Sequence, residues 1–109
     1  MELREAFGTT IRKIRLSRGL AQDAIGPSQA YISEVERAIK SPTLDKMQDI
    51  AEAMDVHLVT VLVGAFAESG LPATELLALV KKQLRAQGLW DQESDTASKP
   101  TTASPSASN

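Results

Sequence analysis

The sequence contains no cysteine, a single histidine, one tyrosine, one tryptophan and two phenylalanines in 109 residues. Without cysteine there is no thiol nucleophile, no disulfide and no Cys-ligated zinc, which fits a reducing compartment. A lone imidazole, His57, cannot build a multi-histidine metal site, and neither a metal nor a cofactor is expected. Phe7, Tyr31, Phe66 and Trp90 are too few to form a stacking platform for single-stranded nucleic acid. No apolar run approaches the ~18 residues needed to cross a bilayer. The opening MELREAFGTTIRK lacks the charged-then-apolar layout of a secretion signal. The expectation is a cytoplasmic protein that does not touch membranes. Charge of either sign is also modest: 12 Lys and Arg stand against 14 Asp and Glu, or −2 with the histidine neutral. That balance argues against an indiscriminate nucleic-acid coat, but it permits a DNA binder whose basic residues are clustered.

Forty-two per cent of the chain is hydrophobic, enough for one small globular domain. The segment 91–109, DQESDTASKPTTASPSASN, holds nothing able to bury apolar area against its ordering entropy and reads as a disordered tail. The rest reads as helices punctuated by Gly and Pro. Leu3, Phe7, Ile11 and Ile14 form an amphipathic stripe that stops before Gly19. A short piece, Gln22 to Ile25, leads into a turn at Gly26-Pro27. Ser28 is a suitable N-cap for a helix from Gln29 to Arg37 with Ile32 and Val35 inward. After a loop at 38–42, Thr43 is the next cap, for a stripe of Leu44, Met47, Ile50, Ala51 and Met54. A further apolar helix covers Leu58 to Ala67. The last runs from Ala73 to Gln87, follows Gly70-Leu71-Pro72 and ends at Gly88. No stretch alternates with period two for long enough to suggest a sheet. The spacing therefore predicts an all-α fold: a five-helix domain over 1–67, then a C-terminal amphipathic helix within 68–90 and the tail.

A short helix, a tight turn and a second helix with polar outward positions are what docking in a major groove requires. With Ile32 and Val35 inside, Ser28, Gln29, Ala30, Ser33, Glu34 and Arg37 are free to face outward. Gln29 can pair with adenine, Ala30 can meet a thymine methyl, and Glu34 can accept from cytosine N4 or stay a solvated carboxylate. The segments Ile11-Arg12-Lys13-Ile14-Arg15, Gly19-Leu20-Ala21-Gln22, Tyr31 through Arg37, Ser41-Pro42-Thr43-Leu44 and Ile50-Ala51, closed by Val56 to Leu62, together resemble the XRE family. This is the helix-turn-helix superfamily of the lambdoid phage repressors, and the resemblance covers about half the chain. It implies a repressor-like fold in which Gln29, Ala30 and Glu34 meet base edges, and their outward positions add Ser28 and Ser33 to the expected base contacts. It also implies that Gln22 holds a phosphate, that Lys40, Ser41 and Thr43 follow the DNA backbone with Arg37, and that Arg15 and Glu36 form an internal ion pair. Tyr31 is expected half-buried with its hydroxyl towards the phosphates. Arg4, Arg12, Lys13 and Arg18 make the first helix basic.

Two departures from the family pattern stand out. Only eight residues, DAIGPSQA, separate Gln22 from Tyr31, about four fewer than is usual and roughly one helical turn. Alanine occupies position 38, where the family has a glycine, and a left-handed backbone there costs alanine about 1 kcal/mol.

A single recognition helix reads few base pairs, so the family implies a homodimer on a palindromic operator. The face of Leu76, Leu77, Val80 and Leu84 suits either a dimer contact or packing on the domain. Leu58, Val61, Leu62 and Phe66 are further interface candidates. The expected activity is that of a bacterial, sequence-specific double-stranded DNA-binding transcriptional regulator, a repressor. The alternative is a protein-interaction module, an antitoxin or adaptor, with a protein partner in place of DNA. Catalysis is not expected, since no nucleophile–base or metal set is present.

Overall fold

The computed structural model describes residues 1–91; the expected tail beyond Asp91 lies outside them. It contains α1 (Leu3–Ser17), a 3₁₀ turn (Gln22–Ala24), α2 (Gln29–Glu36), α3 (Leu44–Ala53), α4 (Leu58–Glu68) and α5 (Ala73–Ala86), with no strand among the described residues. No single helix there is long and apolar enough to cross a membrane. Two compact units are formed, Met1–Leu77 and the part that starts at Ala78.

The first unit is a bundle closed by α1 lying on α4 and α2, with α3 against α4. Its core is Ala6, Phe7 and Ile11 from α1, Ile25 from the turn, Ile32 and Val35 from α2, Ile50, Ala51 and Met54 around α3, and Val61 and Ala65 from α4. Each fully buried Ile, Val or Met contributes about 1.5–3 kcal/mol relative to exposure. The periodic stripes overreach this core at their ends. Leu44 is 68% exposed and Leu3 46% exposed, because both sit in first turns beyond the last buried layer. Val61 is buried in the bundle and unavailable to a partner, which removes it from the interface candidates.

Local chemistry starts the helices where the sequence indicates. Ser28 Oγ accepts from the Tyr31 N–H at 3.1 Å, Thr43 Oγ1 from the Lys46 N–H at 3.2 Å, and His57 Nδ1 from the Val59 N–H at 3.0 Å. Each satisfies a backbone donor left over by the first turn. The histidine is thus a cap. The piece between α1 and α2 shrinks to one 3₁₀ turn of three residues, as the short spacing requires.

Gly8 belongs to the interior of α1, where it is buried, and is not punctuation. A Cβ there would lie 2.5 Å from the Val35 carbonyl oxygen and 2.8 Å from that of Glu36. Backbone of α1 therefore meets the carbonyl end of α2 directly, and only glycine allows that approach.

Candidate nucleic-acid interface

The region that carries the expected DNA contacts is built outwards from one buried ion pair. Arg15, on the inner side of α1, donates from Nε to Glu36 Oε2 at 2.7 Å and from Nη2 to Glu36 Oε1 at 3.1 Å. Its Nη1 donates to the Leu20 carbonyl at 2.8 Å. The side chains are 9% and 3% exposed, so neither charge is solvated and the bidentate geometry is essential. The Glu36 carboxylate, through its hydrogen bond, raises the Arg15 pKa still further above the physiological range.

That carboxylate fixes a chain of polarity. It can only accept, so Gln22 presents Nε2 to Glu36 Oε1, at 3.0 Å. Gln22 is then left with its carbonyl oxygen, and Gln29 Nε2 donates to it at 3.0 Å. The exposed amide of Gln29, in the first turn of α2, is in this way oriented from the interior of α1. One N–H and the Oε1 of Gln29 remain open, the donor–acceptor pair that matches adenine N7 and N6. Gln22 is held by Glu36 and Gln29 in the free protein, with its second amide hydrogen available.

Other expected contact residues are placed as follows. Ser28 and Ala30 are exposed at the start of α2, while Ser33 and Glu34 are half-buried one turn further on. Arg37 folds back, its Nε donating to the Ser33 carbonyl and Oγ at 3.3 and 3.2 Å. Lys40 Nζ lies 3.8 Å from Glu34 Oε1 and 5.9 Å from the Tyr31 ring centre. Ser41 and Thr43 are exposed on the loop that follows. Tyr31 is half-buried, and that burial pushes its phenol up from the usual tyrosine range. Its ring lines a groove against α3, beside Lys46 and Asp49. Of the basic residues of α1 and its C-cap, Arg12 and Arg18 are exposed, Arg4 lies 3.8 Å from Glu2, and Lys13 pairs with Glu68 of α4. Sequence reasoning missed the Gln22–Glu36 link and the packing role of Gly8. A glutamine beside a buried carboxylate is invisible until the fold brings 22 next to 36. Gly8 had a signal, since it interrupts the apolar stripe of Phe7 and Ile11 without ending the helix.

In α5 no residue is buried; Leu76, Val80 and Leu84 are half-buried and Leu77 is 51% exposed. Within the second unit, Trp90 lies under Lys81 Nζ at 5.1 Å and the Arg85 guanidinium at 5.8 Å, cation–π contacts that hold the residues just after Gly88 against the helix.

Comparison with known proteins agrees with the fold. A family model described as helix-turn-helix matches residues 11–61. The uncharacterized HTH-type transcriptional regulator y4dJ of Sinorhizobium fredii is 30% identical over 66 residues, 57% of this chain and 86% of that protein. The crystal structure of the clp gene regulator ClgR from C. glutamicum matches with a TM-score of 0.61 at 26% identity, over 66% of this chain and 99% of that one. By this match of sequence, helix order and fold, the chain belongs to the XRE-type helix-turn-helix family of DNA-binding transcription regulators.

Proposed function

We propose that the protein is a sequence-specific repressor that binds a palindromic operator as a homodimer, with the helix at 28–37 in the major groove. The observation that carries this reading is the chain Arg15–Glu36–Gln22–Gln29, which spends a buried ion pair on the orientation of one exposed amide. Ser28, Gln29, Ala30, Ser33 and Glu34 face base edges, while Gln22, Tyr31, Arg37, Lys40, Ser41 and Thr43 hold phosphates. Lys40 leaves Glu34 for a phosphate on binding; an exposed pair of this kind is worth at most about 1 kcal/mol and exchanges readily. The two-fold contact is made by Leu76, Leu77, Val80 and Leu84 of α5.

The test is affinity selection of sheared genomic DNA from the source organism on the purified protein, followed by sequencing. A short inverted repeat with adenine in each half-site is the expected recovery, its spacing set by the distance between the two copies of α2. Binding should also weaken steeply as salt rises. No enrichment above background at low salt would overturn the proposal in favour of a protein-interaction module.

A further inference from the structure

The groove beside Tyr31 has the chemistry of a small-molecule site. It is a half-open groove of about 360 Å³ between the turn at 24–27, Tyr31 and the outer face of α3, within the size range of ligand pockets. It is there because the link between α1 and α2 carries only the turn Gln22–Ala24. Three residues are enough to bury Ile25 but leave Pro27 and Ala53 exposed and Tyr31 half-exposed along the groove. Lys46 and Asp49 stand on its α3 wall, one turn apart. Opposite charges at this spacing can pair with each other, less favourably when the lysine comes first as here. Among the described residues these two do not, and neither has another ion-pair partner. The groove therefore presents an apolar floor with a cation seat and an anion seat at adjacent positions on one edge.

Ligand classes can be separated by that pair. A phosphate or simple carboxylate would be repelled by Asp49, a metal cation by Lys46, and a neutral apolar molecule would desolvate both charges without compensation. We propose that the groove binds a small zwitterion with an apolar side chain, an apolar α-amino acid. Its carboxylate sits on Lys46, its ammonium group on Asp49, and its side chain lies against Ile25, Pro27 and Ala53 beside the Tyr31 ring. This assignment does not rest on the DNA reading. It does bear on it, because the turn is locked to α2: a Cβ on Gly26 would lie 2.4 Å from Ile32 Cδ1. A ligand bridging the turn and α3 braces α2 at the end that carries Gln29, so ligand and DNA strengthen each other's binding reciprocally.

Calorimetric titration of the full chain with L-leucine, L-methionine and L-phenylalanine tests the proposal, each compared with its N-acetyl and its amide form. At least one free amino acid should bind saturably. Loss of either charge on the ligand should weaken it about two- to fivefold, the effect of one exposed ion pair. Asp49→Asn should abolish the preference for the free amine, and Lys46→Gln the preference for the free carboxylate. Both side chains are exposed, so melting temperatures should show that the fold persists in each variant. Absence of saturable binding for all three amino acids at about 10 mM, a range that admits even weak ligands, would overturn the site. So would binding that is indifferent to N-acetylation and to both substitutions. An unchanged DNA affinity at saturating ligand would remove the bracing of α2.

Discussion

At the scale of single residues, one hydrogen-bonded chain joins the interior of the bundle to the proposed reading surface. Arg15 and Glu36 stabilise one another only because both are present, since either alone would be a buried charge without compensation. Arg15→Ala should lower unfolding stability by roughly 3–5 kcal/mol, measured by urea denaturation. Replacing both, Arg15→Met with Glu36→Leu, should restore most of that loss by apolar packing. Yet it removes the acceptor that orients Gln22, so discrimination for adenine should fall even as stability returns. A double variant that keeps full discrimination would disconnect the pair from base reading. The surface residues separate by what they touch. Gln29→Ala should relax discrimination at one base position by about 1–3 kcal/mol, whereas Lys40→Ala should weaken specific and random duplex alike and reduce the salt slope by about one. Equal losses on both duplexes for both variants would refute these roles. Tyr31 offers a separate check because it is the sole tyrosine. Burial raises its phenol pKa in the folded chain, which favours the neutral form there. That contribution to stability is complete below the unfolded tyrosine value near 10 and is lost as pH rises through the folded value. Phenolate absorbance should thus emerge at higher pH in the native protein than in urea.

At the scale of elements, all five α-helices end alike. The amide three residues beyond each last helical position, that of Leu20, Ile39, Val56, Leu71 or Leu89, returns to a carbonyl five positions back. The residue before it is left-handed in every case: Gly19, Ala38, Asp55, Gly70 and Gly88. This closure suits glycine and is tolerable for aspartate; for alanine the Cβ is strained. Ala38→Gly should therefore stabilise the protein by about 1 kcal/mol, somewhat offset by the greater freedom of glycine in the unfolded chain. A rise in the thermal midpoint checks it; a fall would mean that the alanine side chain supplies packing that outweighs the strain. Helix starts, helix stops and the stripes of Phe7 and Ile11 or Ile50 and Met54 were legible in the sequence because each depends on residues close along the chain. What could not be read depends on distant parts meeting. Leu44 continues its stripe in sequence, but no neighbour arrives to cover it. The tight passage of Gly8 past the carbonyls of Val35 and Glu36, and the hydrogen bond from Gln22 to Glu36, exist only once α1 and α2 are packed.

At the scale of the whole molecule, the question is how a small reading surface attains specificity. One α2 offers few base contacts, and each mismatch discriminates by only about 1–3 kcal/mol. A two-fold dimer doubles the contacts and fixes their spacing. The bundle saturates its own core with Val61 and Ala65, so an interface has to come from apolar side chains still exposed. In α5 these are Leu77, Leu79 and, partly, Leu76, Val80 and Leu84, with Lys81, Lys82 and Arg85 alongside. A fourteen-residue helix with one apolar stripe is marginal by itself in water, and in the proposed dimer its own copy would cover that stripe. Leu77→Lys places a charge at the most exposed point of the stripe without touching the core. The variant should sediment as a monomer at concentrations where the parent chain is a dimer, and retain the parent's thermal midpoint when the two are compared as monomers at high dilution. Its affinity for a single half-site should be unchanged, while its affinity for the full inverted repeat should drop to the half-site level. If the variant remains dimeric, the two-fold contact lies elsewhere and the α5 stripe has another partner. If it becomes monomeric yet binds the full repeat as tightly as before, the operator is read by independent monomers and the palindrome has no energetic role.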